Sequence, residues 1–287
     1  MVPFDPEAPP NTDAWDWFLD GRPSGAVALD SLLCPSDGVG RSTFASRTGM
    51  WHGSGFSNYR ACRGDLAGTD CDRDTRGFYF LLVADIQYNM PRSWARTFKH
   101  VGDFGIVTSG LSNTIAFSEQ LIGRGRDRGE TYKDAIADGI LAHYSEVPQN
   151  CLNLKGGGGR FKDENQAIFG GAHRPWMGRR IWNSVTDQYV FYSLLPPNSP
   201  SCTSYNMDRV WMSATSNHRG GVNVSFLDGS VRFITDSIET KNLTRSVRSQ
   251  FPIDQPPAFP IDDDDNPFSY GIWAELGAVN SREAPSL

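Results

Sequence analysis

The chain has 287 residues, of which 39% are hydrophobic and 12% aromatic, enough for the core of one large domain or two ordinary ones. A formal net charge of -6 and the lack of any Lys/Arg run argue against a nucleic acid or an anionic membrane surface as partner. No stretch approaches the roughly 20 consecutive apolar residues of a membrane span, so the chain as written is expected to be soluble.

The composition predicts a β-rich protein with one main domain. Its 29 Gly and 18 Pro, with many short apolar runs, favour strands, turns and long connections. Residues 1–30 are rich in proline and are expected to form an extended lead-in. Residues 31–250 are expected to form the β-rich domain, and residues 251–287 a C-terminal extension whose apolar element, residues 270–277, docks back on it.

Local patterns predict the individual elements. Short apolar runs bounded by turn residues predict strands over residues 32–38, 102–108, 113–119, 176–182 and 188–192. Residues 195–202 contain paired prolines and are expected to be extended. A capping-box pattern at residues 236–239 predicts a short helix that ends before Pro252.

The clearest local signal is a β-hairpin over residues 217–234. Two alternating runs flank Asp228-Gly229, and a two-residue Asp-Gly loop is a strong hairpin signal because Gly tolerates positive φ. With Leu227 opposite Ser230, this turn places one apolar stripe on a single side of the ribbon. The stripe is expected in a core and consists of Val222, Val224, Phe226, Val231 and Phe233.

His218 and Asp228 invite a catalytic or metal-binding interpretation, but the hairpin separates them. An extended chain at about 3.3 Å per residue puts His218 roughly 20 Å from Asp228, far outside hydrogen-bond reach. Asp228 and Gly229 are therefore expected to form the turn, and His218, Gly220 and Gly221 to have structural roles. No catalytic residue is assigned.

Sequence motifs of common enzymes are absent: there is no Gly-x-Ser-x-Gly elbow, His-Glu-x-x-His helix, Gly-x-Gly-x-x-Gly turn or paired Cys-x-x-Cys. Glu119 lies at the end of an apolar strand, where a carboxylate could be catalytic, although capping a loop or pairing with an arginine is the more common role. A compact cluster of Glu119 with a histidine would favour an enzyme, which otherwise ranks third among the hypotheses.

Asp70, Asp72 and Asp74 have the alternate-residue spacing of the first ligands in a calcium loop. The match then fails, because Thr75 replaces the sharp-turn glycine and Leu81 replaces the bidentate glutamate. No cofactor is therefore expected, and a non-standard calcium site at these aspartates is kept as an alternative to a solvated acidic loop.

The five cysteines lack the short paired spacings of zinc knuckles, so disulfides in an oxidising, extracytoplasmic compartment are the expected use. Cys62 and Cys71 could close a short loop. The remaining three would leave at least one thiol free or paired between chains, and the connectivity stays open.

Several separated landmarks, taken in one order, resemble a known family. They are His218 followed after nine residues by Asp228-Gly229, and the segments at residues 33–37, 110–119, 196–202 and 270–277. In this arrangement the chain is similar to the prepilin-type, processing-associated proteins grouped as domain of unknown function 1559. The similarity extends from about residue 31 to residue 277.

The resemblance implies a pilin-like α+β head domain with a mostly antiparallel β-sheet, few short helices and long loops, located outside the cytoplasmic membrane in the cell envelope or at the surface. It also implies an N-terminal hydrophobic helix, cleaved and methylated by a prepilin peptidase. The Gly-Phe-Thr-Leu-x-Glu processing site and that helix are absent from this sequence. Either the chain is a soluble fragment, or its start was placed too late, or this member has lost the anchor; membrane attachment is expected only through the absent helix.

The function expected from the resemblance is non-enzymatic: a pseudopilin-like head in a type II secretion-like or cell-surface assembly, with other pseudopilin-like or assembly subunits as partners. The alternative is an extracytoplasmic solute- or carbohydrate-binding module. Its sugar-stacking surface would use Trp176, Trp182, Tyr189 and Trp211. A deep aromatic pocket with convergent polar groups would favour the binding module, and a flat surface would favour the pilin-like head.

Overall fold

Strands make up most of the regular structure in the part of the chain described by this computed structural model. The described residues are 18–19, 22–23, 29–38, 57–65, 77–78, 104–123, 131–134, 136–137, 147–162, 190–203, 210–245 and 270–280. The strands are β1 (Phe18–Leu19), β2 (Arg22–Pro23), β3 (Tyr59–Cys62), β4 (Ile115–Glu119), β5 (Ile136–Ala137), β6 (Val190–Phe191), β7 (Ser201–Thr203), β8 (Val210–Trp211), β9 (Gly221–Phe226) and β10 (Val231–Thr235). The helices are α1 (Pro148–Leu152), α2 (Ile272–Gly277) and 3-10 turns at Asp30–Leu32, Pro35–Asp37, Phe104–Ile106, Leu111–Asn113 and Gly157–Gly159. This content agrees with the predicted α+β class with few short helices.

The central sheet has five strands in the order β10-β9-β4-β3-β6. Its neighbours pair antiparallel except β3 and β6, which run parallel. A second sheet, β5-β7-β8, contains the parallel pair β5 and β7, and β1 pairs antiparallel with β2. The sheets are therefore mixed, and the prediction of a mostly antiparallel sheet is wrong. Parallel neighbours are joined by long connections instead of hairpins, and short apolar runs do not reveal which distant strand they will join.

The β9–β10 hairpin forms where the sequence predicted it, but its loop has three residues instead of two. The Phe226 N–H donates to the Ser230 carbonyl oxygen at 2.9 Å, so residues 227–229 form the loop. Gly229 has a φ of 84°, the left-handed conformation that ends a three-residue hairpin loop. Val231 consequently pairs with Ser225 instead of Phe226.

This one-residue difference in register turns β10 over, because side chains alternate between the two faces of a strand. Ile234 pairs with Val222 and is only 3% exposed. Val231 and Phe233, which were expected in the core, are 66% and 48% exposed. The core side of the hairpin is formed by Ile234 with the inward residues of β9.

The hydrophobic core lies against the inner face of the central sheet. The α2 helix packs into it, and the Trp273 indole N–H donates to the Leu195 carbonyl oxygen at 2.8 Å. A disulfide between Cys151 and Cys202 joins α1 to β7 inside the same core. Fully or almost fully buried members of the core include Cys62, Ile115, Phe191, Trp211, Val222, Val224, Phe226, Trp273 and Leu276.

Three predicted elements take other conformations. Residues 32–38 were predicted as a strand that ends in a tight loop; the loop is the 3-10 turn Pro35–Asp37, but the extended residues Leu33 and Cys34 before it join no strand. The weaker strand prediction at residues 102–108 contains the 3-10 turn Phe104–Ile106 in its described part. The predicted helix after residue 236 is absent from the described residues up to 245. The Asp236 carboxylate accepts a hydrogen bond from the Asn198 side chain at 2.7 Å instead of capping a helix. The backbone of residues 239–241 meanwhile bonds to Tyr270 and Trp273, so contacts with the C-terminal segment replace the helix.

Within the described ranges, no helix combines the length and the apolar content needed to cross a membrane.

Candidate functional site

The face of the central sheet opposite the core, called the outer face below, carries two cross-strand rows of side chains. Register defines the first row as Ala61, Phe117, Ser225 and Val231. The second row pairs Tyr59 with Glu119 and Asn223 with Phe233. The Asn223 N–H donates to Glu119 Oε2 at 2.8 Å and so joins the two halves of that row.

A cysteine, a glutamate and a histidine meet at one end of the outer face. Cys34 precedes the 3-10 turn Pro35–Asp37, Glu119 is the last residue of β4, and His218 lies in the loop before β9. Each residue offers one donor atom, and the three atoms lie within 4.8 Å of one another. We call this group the Cys34–Glu119–His218 cluster.

Glu119 is the fixed centre of the cluster. Its side chain is 6% exposed, and its Oε1 lies 3.0 Å from Nε2 of His218, whose side chain is 36% exposed. Asn223 holds both carboxylate oxygens, because its side-chain amide donates to Oε1 at 3.1 Å and its backbone N–H to Oε2. The loop is held as well, since the His218 N–H donates to Ser216 Oγ at 3.0 Å.

The Cys34 turn is anchored by a buried asparagine. Asn58 accepts a hydrogen bond from the Cys34 N–H at 2.8 Å and donates to Asp37 Oδ2 at 2.6 Å and to the Gln120 carbonyl oxygen at 3.0 Å. The same Asp37 oxygen accepts the Ile122 N–H at 3.0 Å. Pro35 opens the 3-10 turn and Gly38 ends it with a φ of 64°. These contacts fix the turn beside the end of β4.

The loop that contains His218 and the turn that follows Cys34 also contact each other directly. Asn217 donates through its side chain to the Ser36 carbonyl oxygen at 2.9 Å. In the same loop, the Ser216 N–H donates to the side-chain oxygen of Asn198, which lies in the segment of residues 196–202, at 2.9 Å. Four of the landmarks on which the family resemblance rests, containing residues 33–37, 110–119, 196–202 and His218, therefore come together around one site.

Tyr59 lies beside the cluster on the outer face, and the charges of the cluster affect the pKa of its phenol. Burial raises the pKa of the Tyr59 phenol, and the negative charges of Cys34 and Glu119 raise it further. The phenol is therefore a neutral hydrogen-bonding group near the cluster at physiological pH.

A thiol, an imidazole and a carboxylate are the side chains of zinc sites and of cysteine nucleophiles. A compact cluster of Glu119 with a histidine, the arrangement named above as favouring an enzyme, is present in the structure. His218 and Glu119 are 99 residues apart in sequence, however, and no local spacing links them. Cys34 was not singled out for chemistry; the only signal was its place in the Cys-Pro-Ser-Asp landmark.

The hairpin residues of the predicted motif occupy different places. Gly220 has a φ of 81°, Gly221 begins β9, and Gly229 closes the turn at the far end. The Asp228 side chain accepts hydrogen bonds from the Ser230 hydroxyl and N–H, which lower its pKa. The structure thus brings only His218, among the motif residues, into the cluster.

The described cysteines comprise one disulfide and two free thiols. Cys62, which was considered for a loop-closing disulfide with Cys71, is a free thiol at the end of β3 and is completely buried. Burial raises the pKa of Cys62 to about 12. The disulfide among the described residues is Cys151–Cys202, and Cys71 lies outside those residues. Cys62 is directed into the core by β3.

The proposed calcium ligands Asp70, Asp72 and Asp74 lie outside the described residues. Of the aromatic residues assigned to a sugar-stacking surface, Trp176, Trp182 and Tyr189 also lie outside them. Trp211 is described and is only 1% exposed in the core, so it cannot stack on a sugar at the surface.

A shallow, open recess of about 450 Å³ lies on the outer face. Leu32, Ser57, Tyr59, Arg60, Ala61, Phe117 and Ser225 line it. Its walls are largely the first row of side chains and the adjoining Tyr59.

Comparison with known proteins identifies the family of the chain. A family model described as "Protein of unknown function (DUF1559)" matches residues 3–241. No curated protein and no solved structure matches the chain.

Proposed function

We propose a function from one premise: the chain belongs to the DUF1559 family of proteins of unknown function. The proposal is that the chain is a non-enzymatic, pseudopilin-like head domain. In this proposal the chain acts outside the cytoplasmic membrane as a subunit of a secretion-associated or cell-surface assembly. Its partners are other pseudopilin-like or assembly subunits.

The observation that carries the proposal is the apolar character of the outer face. Phe117 on β4 is 40% exposed, and Val231 and Phe233 on β10 are 66% and 48% exposed, so the exposed apolar residues lie on two strands of one sheet. The solvent-facing side of an antiparallel region normally carries polar residues, whereas several exposed apolar residues on one face of a sheet are typical of interaction surfaces. A subunit that packs against neighbours through this face has a physical reason to keep these side chains.

The alternative, a solute- or carbohydrate-binding module, has less support from the described residues. The recess on the outer face is open and shallow, and a specific small-molecule site is usually concave and encloses most of its ligand. Trp211 contributes to the core instead of to a stacking surface. The geometry fits a broad protein contact better than the enclosure of a sugar.

The experiment that tests the proposal determines the processed N-terminus of the protein in its native cells. The genomic sequence upstream of Met1 is read, and the protein is isolated from the envelope fraction for mass spectrometry of its N-terminal peptide. We expect an upstream hydrophobic helix behind a Gly-Phe-Thr-Leu-like site and a methylated N-terminal residue on the mature chain. An in-frame stop codon directly upstream, or an ordinary cleaved signal peptide, would contradict the proposal.

A further inference from the structure

We propose that Cys34, Glu119 and His218 form a binding site for one divalent transition-metal ion, with Zn²⁺ the best match. The donor set is one sulfur, one imidazole nitrogen and one carboxylate oxygen. Zn²⁺ is bound in proteins by these three ligand types, whereas Ca²⁺ and Mg²⁺ select oxygen ligands. This inference is independent of the proposed function in the assembly.

The spacing of the donor atoms suits one ion. Zn–N and Zn–O bonds of about 2.0 to 2.1 Å and a Zn–S bond of about 2.3 Å place the ligand atoms of a tetrahedral site about 3.3 to 3.6 Å apart. The Oε1 of Glu119 and the Nε2 of His218 are 3.0 Å apart, and all three donor atoms lie within 4.8 Å. Side-chain adjustments of a few tenths of an ångström to about 1 Å suffice to close the site around an ion.

The same spacing disfavours a nucleophile-histidine-acid relay. In such a relay the imidazole lies between the nucleophile and the acid, so two hydrogen bonds of about 3 Å and the ring width separate sulfur and carboxylate oxygen by roughly 7 Å or more. Here the donor atoms of Cys34 and Glu119 are within 4.8 Å of each other. The three groups form a triangle around a common point, which is the arrangement of metal ligands.

The ligands are held by a second layer of hydrogen bonds from separate parts of the fold. Asn223 holds the Glu119 carboxylate, Asn58 holds the Cys34 backbone, and Ser216 holds the His218 backbone. Ser36 Oγ lies 2.9 Å from Cys34 Sγ and can donate to it. Contacts of this kind orient metal ligands and reduce the free energy needed to organise a site when the ion binds.

The site is open on one side. Glu119 is buried, Cys34 is partly buried, and the His218 side chain is 36% exposed. Three protein ligands leave a fourth tetrahedral position, which water can fill from the solvent side. The ion would join the cysteine turn, the end of β4 and the loop before β9, which are distant in sequence.

The test uses the full 287-residue chain and Co²⁺ as a spectroscopic substitute for Zn²⁺. Thiolate ligation gives a sulfur-to-cobalt charge-transfer absorption in the near ultraviolet. We expect this absorption to saturate at one Co²⁺ per chain, to disappear in Cys34→Ser and to be bleached when Zn²⁺ displaces Co²⁺. The matched control is Cys62→Ala, because Cys62 is the other free thiol among the described cysteines and is completely buried.

Affinity measurements on further variants locate the other ligands. His218→Gln and Glu119→Gln are expected to weaken Zn²⁺ binding more than 100-fold. Asn58→Ala, which removes a support of the Cys34 turn but no ligand, is expected to weaken it about 10- to 100-fold. Circular dichroism of each metal-free variant shows whether it is folded. For a variant that does not fold, protection of Cys34 from alkylation by Zn²⁺ in the unmodified chain replaces the affinity measurement.

The outcomes separate the proposal from its competitors. A saturable charge-transfer absorption that depends on Cys34 but not on Cys62, with Zn²⁺ protecting Cys34 from alkylation, supports the site. The proposal is overturned if the unmodified chain shows no such absorption, or if the absorption persists in Cys34→Ser. Alkylation of Cys34 at the same rate with and without Zn²⁺ also overturns it and leaves a hydrogen-bonded Glu119–His218 pair without a metal.

Discussion

The register of β10 predicts that two neighbouring substitutions have very different effects on stability. Ile234 is 3% exposed in the core, so Ile234→Ala leaves a cavity and is expected to lower the free energy of unfolding by about 2 to 5 kcal/mol. Phe233 is 48% exposed, and full burial of a phenylalanine is worth roughly 1.5 to 3 kcal/mol. About half of that, near 1 kcal/mol, is the expected cost of Phe233→Ala.

Urea denaturation followed by circular dichroism measures both values on the same chain. A loss of 2 to 5 kcal/mol is a large share of the roughly 5 to 15 kcal/mol that stabilise a typical domain. Val231→Ala serves as a second surface control, since Val231 is 66% exposed and its loss is expected to cost no more than about 0.5 kcal/mol. A larger loss for Phe233→Ala than for Ile234→Ala would refute the register, because a two-residue loop would give that order.

Three further predictions concern buried polar and sulfur groups. Asn58→Ala leaves its partners on Cys34, Asp37 and Gln120 unsatisfied and is expected to cost about 3 kcal/mol or more in urea denaturation. Replacing the Cys151–Cys202 disulfide, which closes a separation of 51 residues, with two alanines is expected to cost about 4 kcal/mol, seen as a lower Tm. Burial raises the pKa of the folded Cys62 thiol to about 12, above its ordinary value of 9.0, so the neutral thiol favours folding below pH 9 and this contribution is lost between pH 9 and pH 12. The unfolding free energy of the unmodified chain is expected to fall, relative to Cys62→Ala, by about 1.4 kcal/mol per pH unit in that range.

Each of these predictions has a contrary outcome. An Asn58→Ala variant as stable as the unmodified chain would show that the Cys34 turn is not held through this side chain. An unchanged Tm for the double alanine variant would mean that the disulfide does not constrain the unfolded chain. Parallel pH profiles for the unmodified chain and Cys62→Ala would place Cys62 in contact with solvent.

The sequence predicted local structure where one short segment decides it. The strand at β4 and the β9–β10 hairpin come from alternating apolar residues and the Asp228-Gly229 turn. The register of the hairpin was wrong because two- and three-residue loops can share this dipeptide; the closing bond between Phe226 and Ser230 selects the longer loop. The helix after residue 236 failed because Asp236 bonds to the distant Asn198.

The candidate site could not be predicted from spacing, because it depends on how distant segments pair. Glu119 and His218 come together through the antiparallel pairing of β4 with β9, and Cys34 is held beside them by Asn58 and by the contact of Asn217 with Ser36. The sequence separation of His218 and Asp228 predicts that they form no dyad, and it does not reveal Glu119 on another strand, which is the hydrogen-bond partner of His218. The family landmarks marked four of the contributing segments without revealing that they meet.

The central claim, that the chain packs against other assembly subunits through the outer face of its sheet, is tested most directly by site-specific photo-crosslinking in native cells. A photoreactive residue replaces Phe233 on the outer face in one strain and the exposed Lys162, near α1, in another. We predict that the residue at position 233 crosslinks to pseudopilin-like envelope subunits and that the one at position 162 does not. Equal crosslinking at the two positions, or none at position 233 in cells with an intact assembly, would contradict the claim.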